Sequence, residues 1–373
     1  MDTIPSANHT SHRQAKTMDK LEIEGQTVYF GSSEHMDAVE SESVTLVVTS
    51  PPYWNVRDYG GDQIGFGQSY KEYIGALNRV WKECLRVLQP NGKIAINIQP
   101  LPIPSEQSGF GFRVICDIMH DVQAFFREHD CFLSGMAFWN KAAYVNNVSW
   151  GSYPKPTNIA TNTSFEQVYT FVKRGETRKI SKDVLDKNLL SKEEWRHWAV
   201  RCIWDDIQPV IKINSKGENV YGHGAPFPED IPYRLIRMHT VEGETVLDPF
   251  VGSGTTLKVA RITRRKGIGY EINPDYRDKI KARVVEPWHP PPIDDGYVTM
   301  GYKALQNVLA ISLDAARALG LKSVDEQEFL DLVLSRLLDE KIISPAVKER
   351  LKKVKVSASK KKTSSLDEFL EKK

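Results

Sequence analysis

Val246-Leu247-Asp248-Pro249-Phe250-Val251-Gly252-Ser253-Gly254-Thr255-Thr256 is the stretch from which the rest of the chain can be read. An apolar run ends in an acid, a glycine-rich turn follows, and helical spacing runs from Gly254 to Arg264. Glycine admits positive φ and lets a ligand approach the backbone closely. The helix start behind it offers free N–H donors to an anionic group. Three ligand classes compete for such a turn. A phosphate-binding P-loop needs lysine after its second glycine, where Thr255 stands, and a dinucleotide fingerprint needs a third glycine, where Leu257 stands. The third class is a nucleoside carrying an amino acid in place of a diphosphate. Its carboxylate would lie at the turn, with Asp248 on the ammonium side. Glu271 follows Asp248 by 23 residues and closes the next β-run, Gly267-Ile268-Gly269-Tyr270. A carboxylate at that strand end can accept from both ribose hydroxyls.

Upstream, strands and helices alternate. Gln26–Phe30, Ser43–Thr49, Lys93–Ile98, Phe132–Trp139 and Gln167–Val172 read as strands; Ser69–Leu88, Phe112–Glu128 and Pro228–Thr240 read as helices. The near-continuous apolar character around Val44 and Ile94 predicts a parallel sheet covered on both faces, in an α/β doubly wound fold. Pro90-Asn91-Gly92 is expected to end the first helix and turn into the next strand. Pro287–Pro292 marks a domain boundary. Three helices are expected beyond it, the second opening on a Ser323/Glu326 capping box and the third on Ser344-Pro345.

A second signal, Thr49-Ser50-Pro51-Pro52-Tyr53, directly follows a β-branched strand. The prolines remove two backbone donors and fix φ. The Ser50 hydroxyl and the Pro51 carbonyl remain as acceptors beside the aromatic plane of Tyr53. A planar amine could donate to the two oxygens while its ring stacks on the tyrosine.

Composition narrows the classes further. In 373 residues, 50 Lys and Arg stand against 48 Asp and Glu, so a nucleic-acid face must come from local clustering. No apolar run reaches the ~18–20 residues of a bilayer span. Met1–Lys20 is polar and reads as a disordered tail without a signal peptide, which implies a cytoplasmic protein with no membrane contact. Cys84, Cys116, Cys131 and Cys202 form no CxxC pair, the histidines form no HExxH, and no metal site is expected.

Together, Thr49–Tyr53 and Asp248–Thr256 resemble the amino-methyltransferases of DNA, which use S-adenosyl-L-methionine to methylate the exocyclic amine of cytosine or adenine. The catalytic motif precedes the cofactor motif, as in the permuted subgroup called β. Trp139-Asn140-Lys141, the strand Gln167–Lys173 and His223-Gly224-Ala225-Pro226-Phe227-Pro228-Glu229 fall in that subgroup's order, and the likeness covers about Val28 to Tyr276. It implies a Rossmann-like methyltransferase sheet, mostly parallel with one antiparallel strand, in a catalytic domain over 21–290. The helical appendage would span 295–356, followed by a basic flexible tail, 357–373. Ser50, Pro51, Pro52 and Tyr53 would be catalytic. S-adenosylmethionine would be bound by Ser32, Ser50, Phe227, Asp248, Pro249, Phe250, Gly252, Ser253, Gly254, Thr255, Glu271 and Ile272. Many relatives carry Gly-Asp where this chain has Gly31-Ser32, so an acid expected near adenine is replaced by a hydroxyl.

A serine before Pro-Pro-Tyr goes mostly with cytosine N4 in this family, and Asp or Asn mostly with adenine N6. The resemblance therefore implies a site-specific cytosine-N4 methyltransferase acting on a flipped base of double-stranded DNA. Adenine N6 is the alternative; RNA and protein glutamine are more distant ones. None of the four cysteines follows a proline, so no covalent base adduct is expected. A restriction endonuclease acting on the same site and a homodimer are further expectations. Arg57, Lys155, Lys173, Arg174, Arg178, Lys179 and Lys182 are candidates for phosphate contacts. The insertion 177–220, with Trp195, Trp198 and Trp204, is a candidate target-recognition segment; its tryptophans are equally readable as core residues.

Overall fold

All six residues of Val44–Thr49 are buried, as a strand covered on both faces requires. In the computed structural model this strand lies at the centre of the sheet. The structure describes residues 18–56, 58, 63–141, 150–151, 155–157, 159–161, 163–209, 227–293 and 335. The chain divides into two compact units. One comprises Met1–Trp139, Ser149–Leu189 and Pro209–Pro290; the other comprises Asn140–Val148, Leu190–Gln208 and Pro291–Lys373.

The sheet of the first unit contains β1 (Asp19–Ile23), β2 (Gln26–Phe30), β3 (Val44–Thr49), β4 (Leu88–Ile98), β5 (Cys131–Asn140), β6 (Phe165–Lys173), β7 (Thr245–Asp248) and β8 (Lys266–Glu271). Their spatial order is β1-β2-β8-β7-β3-β4-β6-β5. The strands β2, β8, β7, β3 and β4 run parallel to one another, whereas β6 joins β4 antiparallel. From β3 the chain winds outward to β4, and from β7 it winds the other way to β8. The boundary between β3 and β7 is thus a topological switch point, where an open α/β sheet leaves a crevice at its carboxyl edge.

Five helices, α1 (Tyr70–Val87), α2 (Ile118–Glu128), α3 (Asp230–His239), α4 (Thr255–Ile262) and α5 (Arg277–Val285), accompany the strands. Ser69 and Glu72 form a reciprocal capping box at the start of α1, and Tyr73, Ala76, Leu77, Val80, Trp81, Cys84 and Val87 bury its apolar stripe. That stripe joins α2, β3 and β4 in the larger core. A second core gathers Leu21, Val28, Val251, Leu257, Tyr276, Ile280 and Val284.

Several elements differ from the sequence reading. Asp19 and Lys20, placed in the N-terminal tail, belong to β1, which pairs antiparallel with β2; antiparallel pairing thus also occurs at the β1 edge of the sheet, away from β6. The expected helix Phe112–Glu128 begins only at Ile118, because Val114–Cys116 pairs with Leu101–Ile103 as a short hairpin. Pro90-Asn91-Gly92 does not separate helix from strand. β4 starts at Leu88, and the triplet lies in an irregular stretch between the pairs Val44–Leu88 and Leu46–Lys93.

In the second unit, Ser191 and Glu194 cap the short helix Lys192–Trp195, which continues as a π-helical turn, Arg196–Val200. Trp198 and Trp204 are buried and linked by the Trp204 Nε1 bond to the Trp198 carbonyl, while Trp195 is exposed. The helices read at Ser323 and Ser344, residue 335 apart, the 357–373 tail, His223–Pro226 and Arg57 lie outside the described residues.

Candidate active site

The carboxyl ends of β2, β3, β7 and β8 surround one pocket of about 1000 Å³ of atom-free space, part of it open to solvent. The pocket is lined by Ser32, Ser50, Pro51, Pro52, Tyr53, Phe227, Pro249, Phe250, Gly252, Ser253, Thr255, Glu271 and Ile272, so the two sequence motifs meet on one cavity. Gly31, Ser33, Gln63, Ile64, Val251, Tyr270 and Tyr276 line it as well and were not singled out from sequence.

Asp248 and Gly254 are the cofactor candidates that do not line the pocket. The Asp248 side chain is fully buried. Its Oδ1 accepts from the Thr49 hydroxyl at 2.7 Å and from the Phe250 N–H at 3.0 Å, and its Oδ2 accepts from the Thr256 hydroxyl at 2.6 Å. The carboxylate thus ties the end of β3 to the glycine-rich turn and the start of α4, rather than facing a ligand's ammonium group. Burial pushes its pKa up to about 6, against the three hydrogen bonds that favour its charge. Gly254 caps α4 at φ +96°, and a Cβ there would meet Val284 at 3.3 Å. It shapes the turn that presents Gly252, Ser253 and Thr255.

Glu271 faces the cavity. Its Oε2 accepts from the Gly252 N–H and its Oε1 from the Asn273 N–H, both at 3.0 Å. Each oxygen keeps acceptor capacity for a ligand hydroxyl. Burial is the main cause raising its pKa to about 7; Asn273 and Gly252 oppose the rise, and the Asp248 charge adds to it. Ser32 exchanges short-range hydrogen bonds with Glu34, which in turn pairs with Arg79. The donor set fits a nucleoside with an amino-acid tail: a carboxylate for ribose hydroxyls, the apolar Phe250, Ile272 and Phe227, and the hydroxyls of Ser253 and Thr255 beside the turn.

The other side of the pocket is built on Ser50–Tyr53. The Tyr73 hydroxyl donates to the Pro52 carbonyl at 2.9 Å, a contact that holds the proline turn against α1. Tyr53 Oη accepts from the Gln99 N–H at 3.1 Å and lies 3.4 Å from Glu166 Oε2. Burial raises the phenol's pKa well above the ordinary value, and the nearby Glu166 charge adds to the shift. Asn97 Nδ2 donates to the same Glu166 oxygen. Asn97, Gln99 and Glu166 were not singled out in the sequence; the signal available was an acid inside the otherwise β-forming Phe165–Lys173.

Behind the turn lies a buried ionic cluster. Lys258 Nζ is 2.7 Å from Glu229 and 2.8 Å from Glu286, and Arg283 is 2.8 Å from each of the same two acids. Glu229 stands two residues after Phe227, so the cluster anchors the segment carrying that aromatic to α4 and α5.

Among the basic candidates, Lys173, Arg174 and Arg178 do not converge on this site. Because β6 is antiparallel to β4, Gln167 pairs with Ile98 at the pocket end and Val172 with Lys93 at the other. Arg174, eight residues beyond Glu166, is about 25 Å along the strand direction from it. There Lys173 donates to the Leu85 and Leu88 carbonyls, Arg174 pairs with Asp130, and Arg178 pairs with Glu244 and donates to the His239 carbonyl. Lys173, Arg174 and Arg178 therefore belong to the edge opposite the pocket. The first part of the 177–220 insertion is tied to that edge too, since Asn188 Oδ1 accepts from the Glu242 N–H and from Arg265. Lys155 and Lys179 are exposed. Among the described residues no group of His, Cys, Asp and Glu could hold a metal ion.

A doubly wound sheet whose switch-point crevice joins a nucleoside-type pocket to an acceptor-bearing Pro-Pro-Tyr turn defines an enzyme that transfers a group to a planar amine. The DNA methylase family model for N6 and N4 enzymes matches residues 44–282, and the chain belongs to that family. It is an S-adenosylmethionine-dependent DNA amino-methyltransferase. The Type II methyltransferase M.MjaI of Methanocaldococcus jannaschii is 32% identical over 284 residues, 69% of this chain and 90% of that protein. The Type II methyltransferase M.MthZI of Methanothermobacter thermautotrophicus is 29% identical over 279 residues, 69% of this chain and 76% of that protein. A Thermus thermophilus protein assigned as a DNA modification methylase, solved in complex with S-adenosyl-L-methionine, is 28% identical with a TM-score of 0.55, covering 70% of this chain and 97% of that one.

Proposed function

We propose that the protein methylates the exocyclic N4 amine of cytosine at a specific site in double-stranded DNA. The observation that carries the base assignment is Ser50, a hydroxyl where an aspartate or asparagine would precede Pro51-Pro52-Tyr53 in an adenine enzyme. The cytosine amine is a poor nucleophile because its lone pair is delocalised into the ring. Ser50 Oγ and the Pro51 carbonyl accept its two hydrogens, which favours a pyramidal nitrogen and stabilises the charge that develops there. The Pro52 carbonyl is engaged by Tyr73, which leaves the Pro51 carbonyl as the backbone acceptor of the turn. Tyr53 offers its ring face to the base and offsets part of the few kcal/mol that flipping costs.

S-adenosylmethionine, when bound, supplies a methyl group made electrophilic by its sulfonium. Glu271 holds the ribose hydroxyls. Phe250, Ile272, Pro249 and Ser32 border the nucleoside; Gly252, Ser253, Thr255 and Phe227 border the amino-acid end. In the cell, the enzyme works in the cytoplasm beside a restriction endonuclease that reads the same site, a reading supported by its Type II relatives.

The test is incubation with methyl-labelled S-adenosylmethionine and unmethylated bacterial DNA, followed by nucleoside mass analysis. N4-methylcytosine is expected. N6-methyladenine alone overturns the base assignment, and label in RNA or protein with none in DNA overturns the substrate.

A further inference from the structure

We propose that Phe110 and Phe112 form a wedge that enters double-stranded DNA at a base step beside the target and fills the stack while the target base occupies the pocket. The inference rests on the reading of the Ser50–Tyr53 turn as the site of a base flipped out of duplex DNA.

Two large aromatic side chains are held out in water on one short loop. Phe110 is 68% and Phe112 62% exposed, and their rings stack with centroids 5.8 Å apart and planes 26° apart. They alternate with glycine in Gly109-Phe110-Gly111-Phe112. Both glycines have left-handed φ, +75° and +73°, and a Cβ on either would meet nothing within 4 Å. They direct the backbone and make no room for packing. Ser108 Oγ accepts from the Phe110 N–H at 3.1 Å and donates to the Phe112 carbonyl at 2.7 Å, so one hydroxyl fixes the backbone on both sides of Gly111. Leaving two such rings in water forgoes the gain of burying them. A loop already ordered loses less freedom when it binds, which is the property of a contact surface.

Both feet of the hairpin that carries this loop stand at the Ser50–Tyr53 turn. The outgoing strand, Leu101–Ile103, starts two residues after Gln99, whose N–H donates to Tyr53 Oη at 3.1 Å. The returning strand, Val114–Cys116, leads into α2, where Asp121 accepts from the Tyr70 hydroxyl. Tyr70 packs edge-on against Trp54, the neighbour of Tyr53, with ring centroids 5.2 Å apart. Leu101 and Ile103 are buried in the larger core, which anchors the stem. A stem of three residues spans about 10 Å, or about three base steps of ~3.4 Å each, so the rings are set for a step flanking the target. A base leaving the duplex breaks its stacking contacts at a cost of a few kcal/mol. Apolar side chains inserted between base steps recover part of that cost. Residues 105–113 carry one acid, Glu106, and one base, Arg113. With no net charge to draw it to phosphates, the loop suits contact with base faces.

The experiment compares the full-length wild type with the double variants F110A/F112A and F110W/F112W. Single-turnover label transfer from methyl-labelled S-adenosylmethionine is measured on unmethylated bacterial DNA, both as duplex and as heat-separated strands. Calorimetric binding of the cofactor, the salt dependence of duplex binding and sedimentation are measured beside it. F110A/F112A should label duplex at least about 10-fold more slowly. Its cofactor Kd should stay within about twofold of wild type and its salt slope unchanged, because no phosphate contact is lost. F110W/F112W should label duplex within about threefold of wild type, since an indole fills the same gap. On separated strands, which have no stack to fill, the alanine variant should match wild type. A duplex rate for F110A/F112A within about threefold of wild type overturns the inference. So does an equal loss in F110W/F112W, or an equal loss on separated strands. A wild-type dimer that F110A/F112A splits overturns it too, by giving the rings to a second copy of the chain. If wild type labels no separated strands, the comparison of alanine with tryptophan decides. If F110A/F112A does not fold, the single variants F110A and F112A decide. Wild-type protein that labels no DNA in either form overturns the reading beneath, and the inference with it.

Discussion

The Thr49 hydroxyl donates a 2.7 Å hydrogen bond to the Asp248 carboxylate, joining the residue before the Ser50–Tyr53 turn to the residue before the glycine-rich turn. Asp248 thus joins both halves of the site and does not line the pocket. Because it is fully buried and its pKa is raised to about 6 from 3.8, its charge opposes folding. Between those pH values the folded chain keeps a proton that the unfolded chain has released, so this contribution to stability falls as pH rises and is constant above about 6. The unfolding free energy of wild type relative to that of Asp248→Asn should therefore fall by about 2 kcal/mol from pH 4 to pH 7. Urea titrations at the two pH values check it, and a pH-independent difference refutes it.

Glu271 should make cofactor binding pH-dependent. With its pKa raised to about 7 by burial, it is partly protonated near neutrality, and the ionised form is the better acceptor for two ribose hydroxyls. Affinity for S-adenosylmethionine should rise between pH 6 and pH 8 in the wild type, and this rise should be smaller in Glu271→Gln. Glu271→Ala should weaken binding by about 1–3 kcal/mol. Calorimetry across that range reads both.

Ser50→Ala and Tyr53→Ala should slow methyl transfer by about 10²-fold or more while cofactor affinity stays near wild type, because each removes a contact made to the reacting base. A parallel loss of cofactor binding would place them with the pocket's nucleoside half instead.

Lys258→Met should cost about 3–5 kcal/mol of stability, since it leaves the buried Glu229 and the half-buried Glu286 with Arg283 as their remaining cation in the cluster. The damage should extend to S-adenosylmethionine affinity through Phe227. Denaturant midpoints and calorimetry on one preparation measure the two effects.

Arg174→Glu should leave DNA affinity and its salt dependence unchanged, whereas a true phosphate contact would lower the salt slope by about 1. Arg178→Gln should act on stability instead, through its lost pairing with Glu244.

The central strand, the glycine-rich turn and the Pro-Pro-Tyr turn were readable because each is specified locally, by β-branched runs, by glycine at positive φ and by proline. What eluded the sequence depends on pairing across the fold. The strand Val114–Cys116 exists only against Leu101–Ile103, and its apolar residues also fit a helical stripe. Which of Asp248 and Glu271 faces the pocket turns on the hydroxyls of Thr49 and Thr256, which stand in the two motifs but reach the Asp248 carboxylate only through the pairing of β3 with β7 and the folding of the turn. The misplaced arginines follow from the direction of β6: in a parallel strand the same Arg174 would have emerged on the pocket side.

Thr49 and Asp248 are 199 positions apart, and the neighbouring register joins Leu46 to Val246. Contacts of such separation carry a large loop-closure entropy before they contribute anything, and parallel pairing of this kind is slow to form. A chain emerging from the ribosome displays Ser50 and Tyr53 long before the strand beside them has been made. Competence to modify DNA therefore arrives late and all at once, when residues near 248–271 dock, and a polypeptide interrupted before that point carries the acceptor turn without a site around it.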